Sequence, residues 1–194
     1  MSTGSEPSEL DGLGELAELR REVRYLRDRQ DILDCVNKQS RGHDRHDADL
    51  MTSVLAEDGI DEHGPVTNIG AEYGPWANKQ HSMAFADHLH NITTHTCEID
   101  GDVAHAESYV IGTMVGKDGR TLAFMGGRYL DRLERRDGAW KIALRRCTIE
   151  WAFTADASFL NSGAFKGFLK GTWDTDDLSY ARPLLPDTGP AVRW

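Results

Sequence analysis

The chain is poor in cysteine: Cys35, Cys97 and Cys147 are its only three, widely separated and without a CxxC pair. That spacing excludes a disulfide framework and a zinc knuckle, and it predicts the reduced thiols of a cytoplasmic protein. Positive charge is also short, 22 Lys and Arg against 32 Asp and Glu, for a formal net charge of −10. An acidic balance opposes attraction to phosphate backbones and anionic bilayers, so neither nucleic acid nor a membrane is expected as a partner. No apolar window approaches membrane-spanning length, and MSTGSEPSELDG has neither the basic start nor the apolar run of an export signal. Missing too are an HExxH pair and a nucleophile elbow around any Ser or Cys, which removes two large enzyme classes. The glycines of GTMVGKDG and MGGRY fall in hairpins and a bending strand rather than in a phosphate-binding loop.

What is present fits one domain with tails. Residues 1–12, mostly Ser, Gly, Glu and Pro, predict a disordered tail. From Leu13, apolar residues recur at Leu16, Leu19, Val23 and Leu26 with charges on the other faces, which predicts a long amphipathic helix. Its narrow stripe also suits a seam to a partner subunit. Asp47 or Asp49 caps a short second helix burying Leu50, Met51, Val54 and Leu55, with EDG at 57–59 ending it. A strand or loop follows over 60–66. Gly64, Pro65, Gly70, Gly74 and Pro75 mark loops, and 77–90 has the pattern of a helix burying Met83, Phe85 and Leu89. Then the alphabet becomes that of strands: 92–99, 103–115, 121–134 and 139–151, separated by the turn signals DGD, GKDGR and RRDG. Helices followed by a meander predict an α+β fold. Residues 156–194, with Phe159, Phe165, Phe168 and Trp173 among small and polar residues, predict an extension packing over a pocket or a neighbouring subunit.

One stretch resists a purely structural explanation. In 29–49, RQDILDCVNKQSRGHDRHDAD, the stripe of Ile32, Cys35 and Val36 continues as Gln39 and His43, with Asp44 one residue later. Burying such groups unpaired costs ~1–3 kcal/mol each. They are either solvated at a helix end or line a pocket.

Five segments carry a family resemblance: RQDILDCVNKQSRGHD, LAEDG, HLHNITTH, IDGDVAHAES and YLDRLERRDGAWKI. Over about 29–151 the chain resembles the SnoaL-like family of the nuclear-transport-factor-2-like superfamily. Within it the pattern is most similar to hexachlorocyclohexane dehydrochlorinase and, more distantly, to the bile-acid and scytalone dehydratases. The resemblance implies a cone-shaped barrel, a strongly curved mixed or antiparallel sheet wrapped around a long N-terminal helix, spanning 13–155. It implies Asp44 and His90 as the catalytic pair, with His90 the base and Asp44 orienting and supporting the imidazole. Gln39 and Arg145 stand where relatives place pocket donors. Phe85 and Trp151 are expected to contact substrate, and Asp61 replaces a pocket tryptophan of the dehydrochlorinase. Arg145 and Arg146 alternate along one strand, so at most one faces inward.

The implied activity is a cofactor-independent lyase, a dehydratase-like elimination on a hydrophobic ring or steroid-like molecule. Two alternatives stand beside it: an isomerase shuttling a proton in the manner of ketosteroid isomerase, and a noncatalytic binding or assembly module resembling the small subunits of ring-hydroxylating dioxygenases. A homo-oligomer, dimer or trimer, is expected of a sheet with one exposed face. No metal is expected: His43 and His46 are spaced three apart and His88, His90 and His95 cluster, but His88 and His90 cannot share a helix face, and there is no HExxH or matched carboxylate set. His43 shares the apolar stripe, but no partner in the sequence gives it a role.

Overall fold

The computed structural model describes residues 9–186, 189 and 191–194, with side chains from residue 12 onward. The expected tail over residues 1–8 lies outside the described residues, whereas Glu9 to Gly12 already belong to the first helix. That helix, α1 (Glu9–Asp44), is followed by α2 (Ala48–Ser53), β1 (Leu55–His63), β2 (Val66–Ile69), α3 (Gly70–Ala84), β3 (Phe85–Asp100), β4 (Val103–Gly116), β5 (Thr121–Arg136) and β6 (Ala139–Asp156). The strands form one six-stranded sheet in the order β2-β1-β6-β5-β4-β3. All neighbours pair antiparallel except β1 with β6, which run parallel. The fold is α+β, as expected, and the sheet is cone-like and curved but not closed by strand pairing.

The meander follows from its turns. Gly101, Gly119 and Gly138 take positive φ at the three hairpin tips, where glycine pays no Cβ penalty. Along β4, burial alternates residue by residue, with Ala104, Ala106, Ser108, Val110, Gly112 and Met114 inward, the period of a strand with one covered face. The bend comes from register shifts, one at Gly126–Gly127 in β5. A Cβ on Gly127 would lie 1.9 Å from the Thr148 carbonyl oxygen, so the curved sheet admits only glycine there.

Against the inner face packs the second half of α1. Ile32, Cys35, Val36, Gln39 and His43 are all buried, the stripe read from the sequence. Asp47 caps α2, its carboxylate accepting the Leu50 N–H at 2.9 Å. Leu16, Leu19, Val23 and Leu26, on the first half of α1, are exposed.

Three expectations fail for one local reason. EDG at 57–59 lies within β1 rather than ending α2, α3 begins at Gly70, and Phe85 to His90 are strand rather than helix. Gly70 and Gly74 are small because backbone passes close by, not because the chain turns: their Cβ atoms would sit 2.1 Å from Ala56 O and 2.4 Å from Ala48 O. Met83 and Leu89, expected inside, are exposed. The strand assignment changes the chemistry, because His88 and His90, two apart, now share a face.

Candidate active site

Asp44 is the last residue of α1, at the negative end of the helix dipole, where a carboxylate gains nothing from the helix. It is held instead by histidines of β3. Its Oδ1 lies 2.7 Å from His90 Nδ1 and 3.3 Å from His88 Nδ1, and the His90 backbone N–H donates to both of its oxygens at 3.0 Å. Burial pushes the Asp44 carboxyl towards its neutral form, but the hydrogen bonds from His88 and His90 outweigh it and hold the group below the usual carboxylate range. An ionised Asp44 accepts Nδ1–H from both rings, which leaves Nε2 of each as a lone-pair site.

His90 lies in the wall between two spaces. Outside is a groove bounded by Ser40, Arg41, Asp44, Asn91, Lys170 and Ser179. Inside is a cavity of about 90 Å³, lined by His63, His81 and His90 with Val110, Met114, Met125, Tyr129 and Cys147.

The other expected site residues divide. Gln39 is fully buried with its Nε2 unpaired among the described residues. Arg145 is the inward arginine and Arg146 the outward one, paired with Glu62. Yet Arg145 is already committed. Its Nε and Nη2 donate to Asp131 at 2.7 and 2.6 Å, and it lies 4.1 Å over the Tyr129 ring. Only Nη1 is unpaired. Burial works against its charge and Asp131 restores it, leaving the guanidinium more firmly protonated than usual. Phe85 and Trp151 do not line the cavity. Phe85 opens β3 with its ring 6.4 Å from His81, and Trp151, on the outer half of β6, is exposed and stacks on Phe153. Thr148 and Ile149 of β6 line the cavity in their place.

Sequence reasoning passed over four contributors. His43 does have a partner: its Nε2 lies 3.0 Å from the Tyr73 hydroxyl, and its ring stands 5.0 Å from that of His90 and 5.2 Å from that of His81. Burial, reinforced by the surrounding imidazoles, holds His43 neutral, well below its usual pKa. His81, Tyr129 and His63 are the others. The signal for His81 was its place in HSMAFADHLH, which supplies three of the clustered rings. The extension beyond β6 closes over this region: Trp173 stacks on His46 at 3.8 Å, Tyr180 donates to Asp47 at 2.8 Å, and Asp177 pairs with Arg45 at 3.0 Å.

Asp61, at the substituted tryptophan position, is fully buried and sits 3.4 Å from His63 Nδ1. Burial lowers the His63 pKa, but the ion pair with Asp61 and the contact with Cys147 overcome it and raise the value to about 10. A folded-state pKa above the unfolded value of ~6.5 contributes stability that is complete below pH ~6.5 and is lost as pH rises through about 10. His63→Gln is therefore expected to flatten the fall in unfolding free energy between pH 7 and 10, as measured by urea titration at each pH. Equal slopes in the two proteins would reject the His63–Asp61 pairing.

A curved, open α+β sheet packed over a long helix defines the nuclear-transport-factor-2-like cone. The chain belongs to the SnoaL-like domain family, whose model matches residues 24–146. Among solved structures it is similar to a protein provisionally named an aromatic ring hydroxylase from Novosphingobium aromaticivorans, at 25% identity and TM-score 0.60, over 69% of this chain and 95% of that one. It is also similar to hexachlorocyclohexane dehydrochlorinase from Novosphingobium barchaimii, at 21% identity and TM-score 0.64, over 69% of this chain and 94% of that one. A provisionally named scytalone dehydratase from Novosphingobium aromaticivorans matches at 17% identity and TM-score 0.61, over 66% of this chain and 88% of that one. No curated protein matches the chain. No helix among the described residues is long and apolar enough to cross a membrane.

Proposed function

We propose that the protein is a cofactor-independent lyase that removes water, or a comparable leaving group, from a small ring compound. The carrying observation is the 2.7 Å contact between Asp44 and His90, with His90 also lining the interior cavity. Asp44 holds the Nδ1–H tautomer, so Nε2 faces substrate as the base. His90 Nε2 takes a proton from carbon, the C–H electrons form the new double bond, and the C–O bond on the neighbouring carbon breaks. Hydroxide then takes the proton back from the imidazolium and leaves as water. Gln39 Nε2 and Arg145 Nη1 are buried donors without a partner among the described residues; neither residue lines the cavity, so either would meet a developing negative charge only by turning in from behind its wall.

At about 90 Å³ the cavity is well below the ~300–1,000 Å³ of pockets for drug-sized ligands. The reacting ring enters and any larger body stays outside it. Isomerisation would use the same base and return the proton to a second carbon. The exposed stripe of Leu16, Leu19, Val23 and Leu26 supports the expected homo-oligomer, by a helix seam between subunits. The test is turnover of hydroxy- and keto-substituted ring compounds by wild type, His90→Ala and Asp44→Asn. Loss of product in both variants supports the assignment, and equal turnover in all three rejects it. Incorporation of solvent deuterium without loss of water would identify the isomerase instead.

A further inference from the structure

Six of the eight histidines lie in or beside the site, and the proposed reaction uses one of them as the base. Three of the rest converge. His46, His81 and His88 each offer a ligand atom within 4.8 Å of the other two, although they come from the turn after α1, from α3 and from β3. We propose that His46, His81 and His88 form a binding site for one divalent transition-metal ion of the zinc class, set directly behind the Asp44–His90 pair.

Four observations carry this. First, each member has a buried ring nitrogen with no hydrogen-bond partner: Nε2 of His46, Nδ1 of His81 and Nε2 of His88. One orphaned buried nitrogen is a cost of ~1–3 kcal/mol, and three at one place call for a common partner. Second, His88 Nδ1 is within 3.3 Å of Asp44 Oδ1, which fixes Nε2 as its free lone pair. A carboxylate behind a histidine in this way is the usual second shell of an imidazole ligand. Third, His46 holds φ +48°, a left-handed conformation that costs a non-glycine residue ~1–3 kcal/mol. The Asn78 side chain clamps it there, donating to the His46 carbonyl at 2.7 Å. Fourth, Trp173 stacks on His46 at 3.8 Å and lies 4.7 Å from His88, shielding the trio with an aromatic face.

The charge balance agrees. Burial, then the neighbouring His88 and, for His46, Arg45, lower the His46 pKa to about 4, and burial with the surrounding imidazoles lowers that of His81 to about 3. Both are neutral ligands at pH 7, beside the carboxylate of Asp44. Imidazole nitrogens select zinc, copper, nickel or iron over magnesium and calcium. Bonds of ~2.0–2.1 Å put tetrahedral nitrogens ~3.3 Å apart, within reach of small ring rotations from the present spacing. Asp44 with His88 and His90 is a weaker set, because its nitrogens already contact the carboxylate. The sequence discounted a metal partly because His88 and His90 could not share a helix face, and the strand removes that one of its two reasons.

The test is metal binding by the full chain, which does not depend on turnover. Protein stripped with a chelator and dialysed against Zn²⁺ is expected to retain one ion per chain by elemental analysis. Co²⁺ in its place should give the visible bands of a nitrogen-ligated, four- or five-coordinate ion. His46→Ala and His81→Ala should each weaken Zn²⁺ binding by more than ~100-fold, beyond the ~10–100-fold typical of outer-shell changes. His105→Ala, an exposed histidine on β4, should bind as wild type does. Added Zn²⁺ should raise the melting temperature of wild type and not of the two ligand variants. His81→Gln, closer to histidine in size, serves if the alanine variant does not fold. A wild type that retains no Zn²⁺, a Co²⁺ spectrum like that of the hydrated ion, or undiminished binding in His46→Ala and His81→Gln would each overturn the site. If turnover tests reject the lyase while Zn²⁺ binds, only the catalytic reading falls.

Discussion

His90→Ala is expected to lower turnover of the dehydratable ring substrate by ~10²–10⁴-fold, the contribution of a positioned general base. It should also cost ~1–3 kcal/mol in stability, because the buried Asp44 carboxylate loses its 2.7 Å partner, although the ring adds little to the apolar core centred on Ile32, Met51, Tyr73, Leu133 and Ile142. Asp44→Asn should approach the same loss of turnover by another route. An asparagine oxygen still accepts one hydrogen bond, but Asp44 now accepts from the His90 backbone, His90 Nδ1 and His88 Nδ1. Its new NH₂ group would face at least one of those donors, and the negative charge that steadies an imidazolium would be gone. Because buried donors then lose their acceptor, this variant too should cost ~1–3 kcal/mol in stability. The measurements are single-turnover kinetics and urea unfolding of both variants. Unchanged turnover in His90→Ala rejects His90 as the base, and an unchanged stability of Asp44→Asn would contradict the hydrogen bonds drawn to it.

The fold was legible wherever local chemistry and global pattern agree. DGD, GKDGR and RRDG each place a glycine at a hairpin tip, and the strands they delimit are β3 to β6 with ends extended by a few residues. The stripe from Ile32 to His43 likewise survives intact. Misreadings fall where a residue acts for a distant reason. Gly70 and Gly74 look like turn glycines but are contact glycines, made necessary by backbone of Ala56 and Ala48 that lies far off in sequence. Phe85 to His90 look helical because Met83, Phe85 and Leu89 are spaced irregularly, and because period-two alternation of His88 and His90 carries no hydrophobic signal. The sequence marks β1 only as a strand or loop over 60–66: its hairpin to β2 turns at Gly64–Pro65, but its first half pairs in parallel with β6, more than eighty residues on, and carries no local signal. For the candidate site, proximity of Asp44 to His90 followed from the resemblance. The convergence of His43, His46, His81 and His88 did not, since it depends on α1, α3 and β3 meeting at one corner.

Elsewhere on the inner face of the sheet, Asp131 and Arg145 form a buried charged pair. Both side chains are fully buried and joined by two hydrogen bonds. Removing one partner of such a pair costs ~3–5 kcal/mol, because the other remains as an uncompensated charge. The two single variants should not be equal. Arg145 lies on β6 between strands that place Asp61 on one side and Asp131 on the other, each in direct register with it. Asp131→Asn leaves the guanidinium with Asp61 as its neighbour and the Tyr129 face beneath it. Arg145→Met leaves two buried carboxylates and no arginine between them, so it should lie at the upper end of that range and Asp131→Asn at or below the lower end. The double variant Asp131→Asn, Arg145→Met should be more stable than Arg145→Met alone, as a double-mutant cycle from urea unfolding would measure. A loss under ~1 kcal/mol for Arg145→Met, the scale of an exposed pair, would mean that Arg145 is free to serve a ligand after all. The cycle thus decides whether this arginine holds the sheet or binds in the cavity.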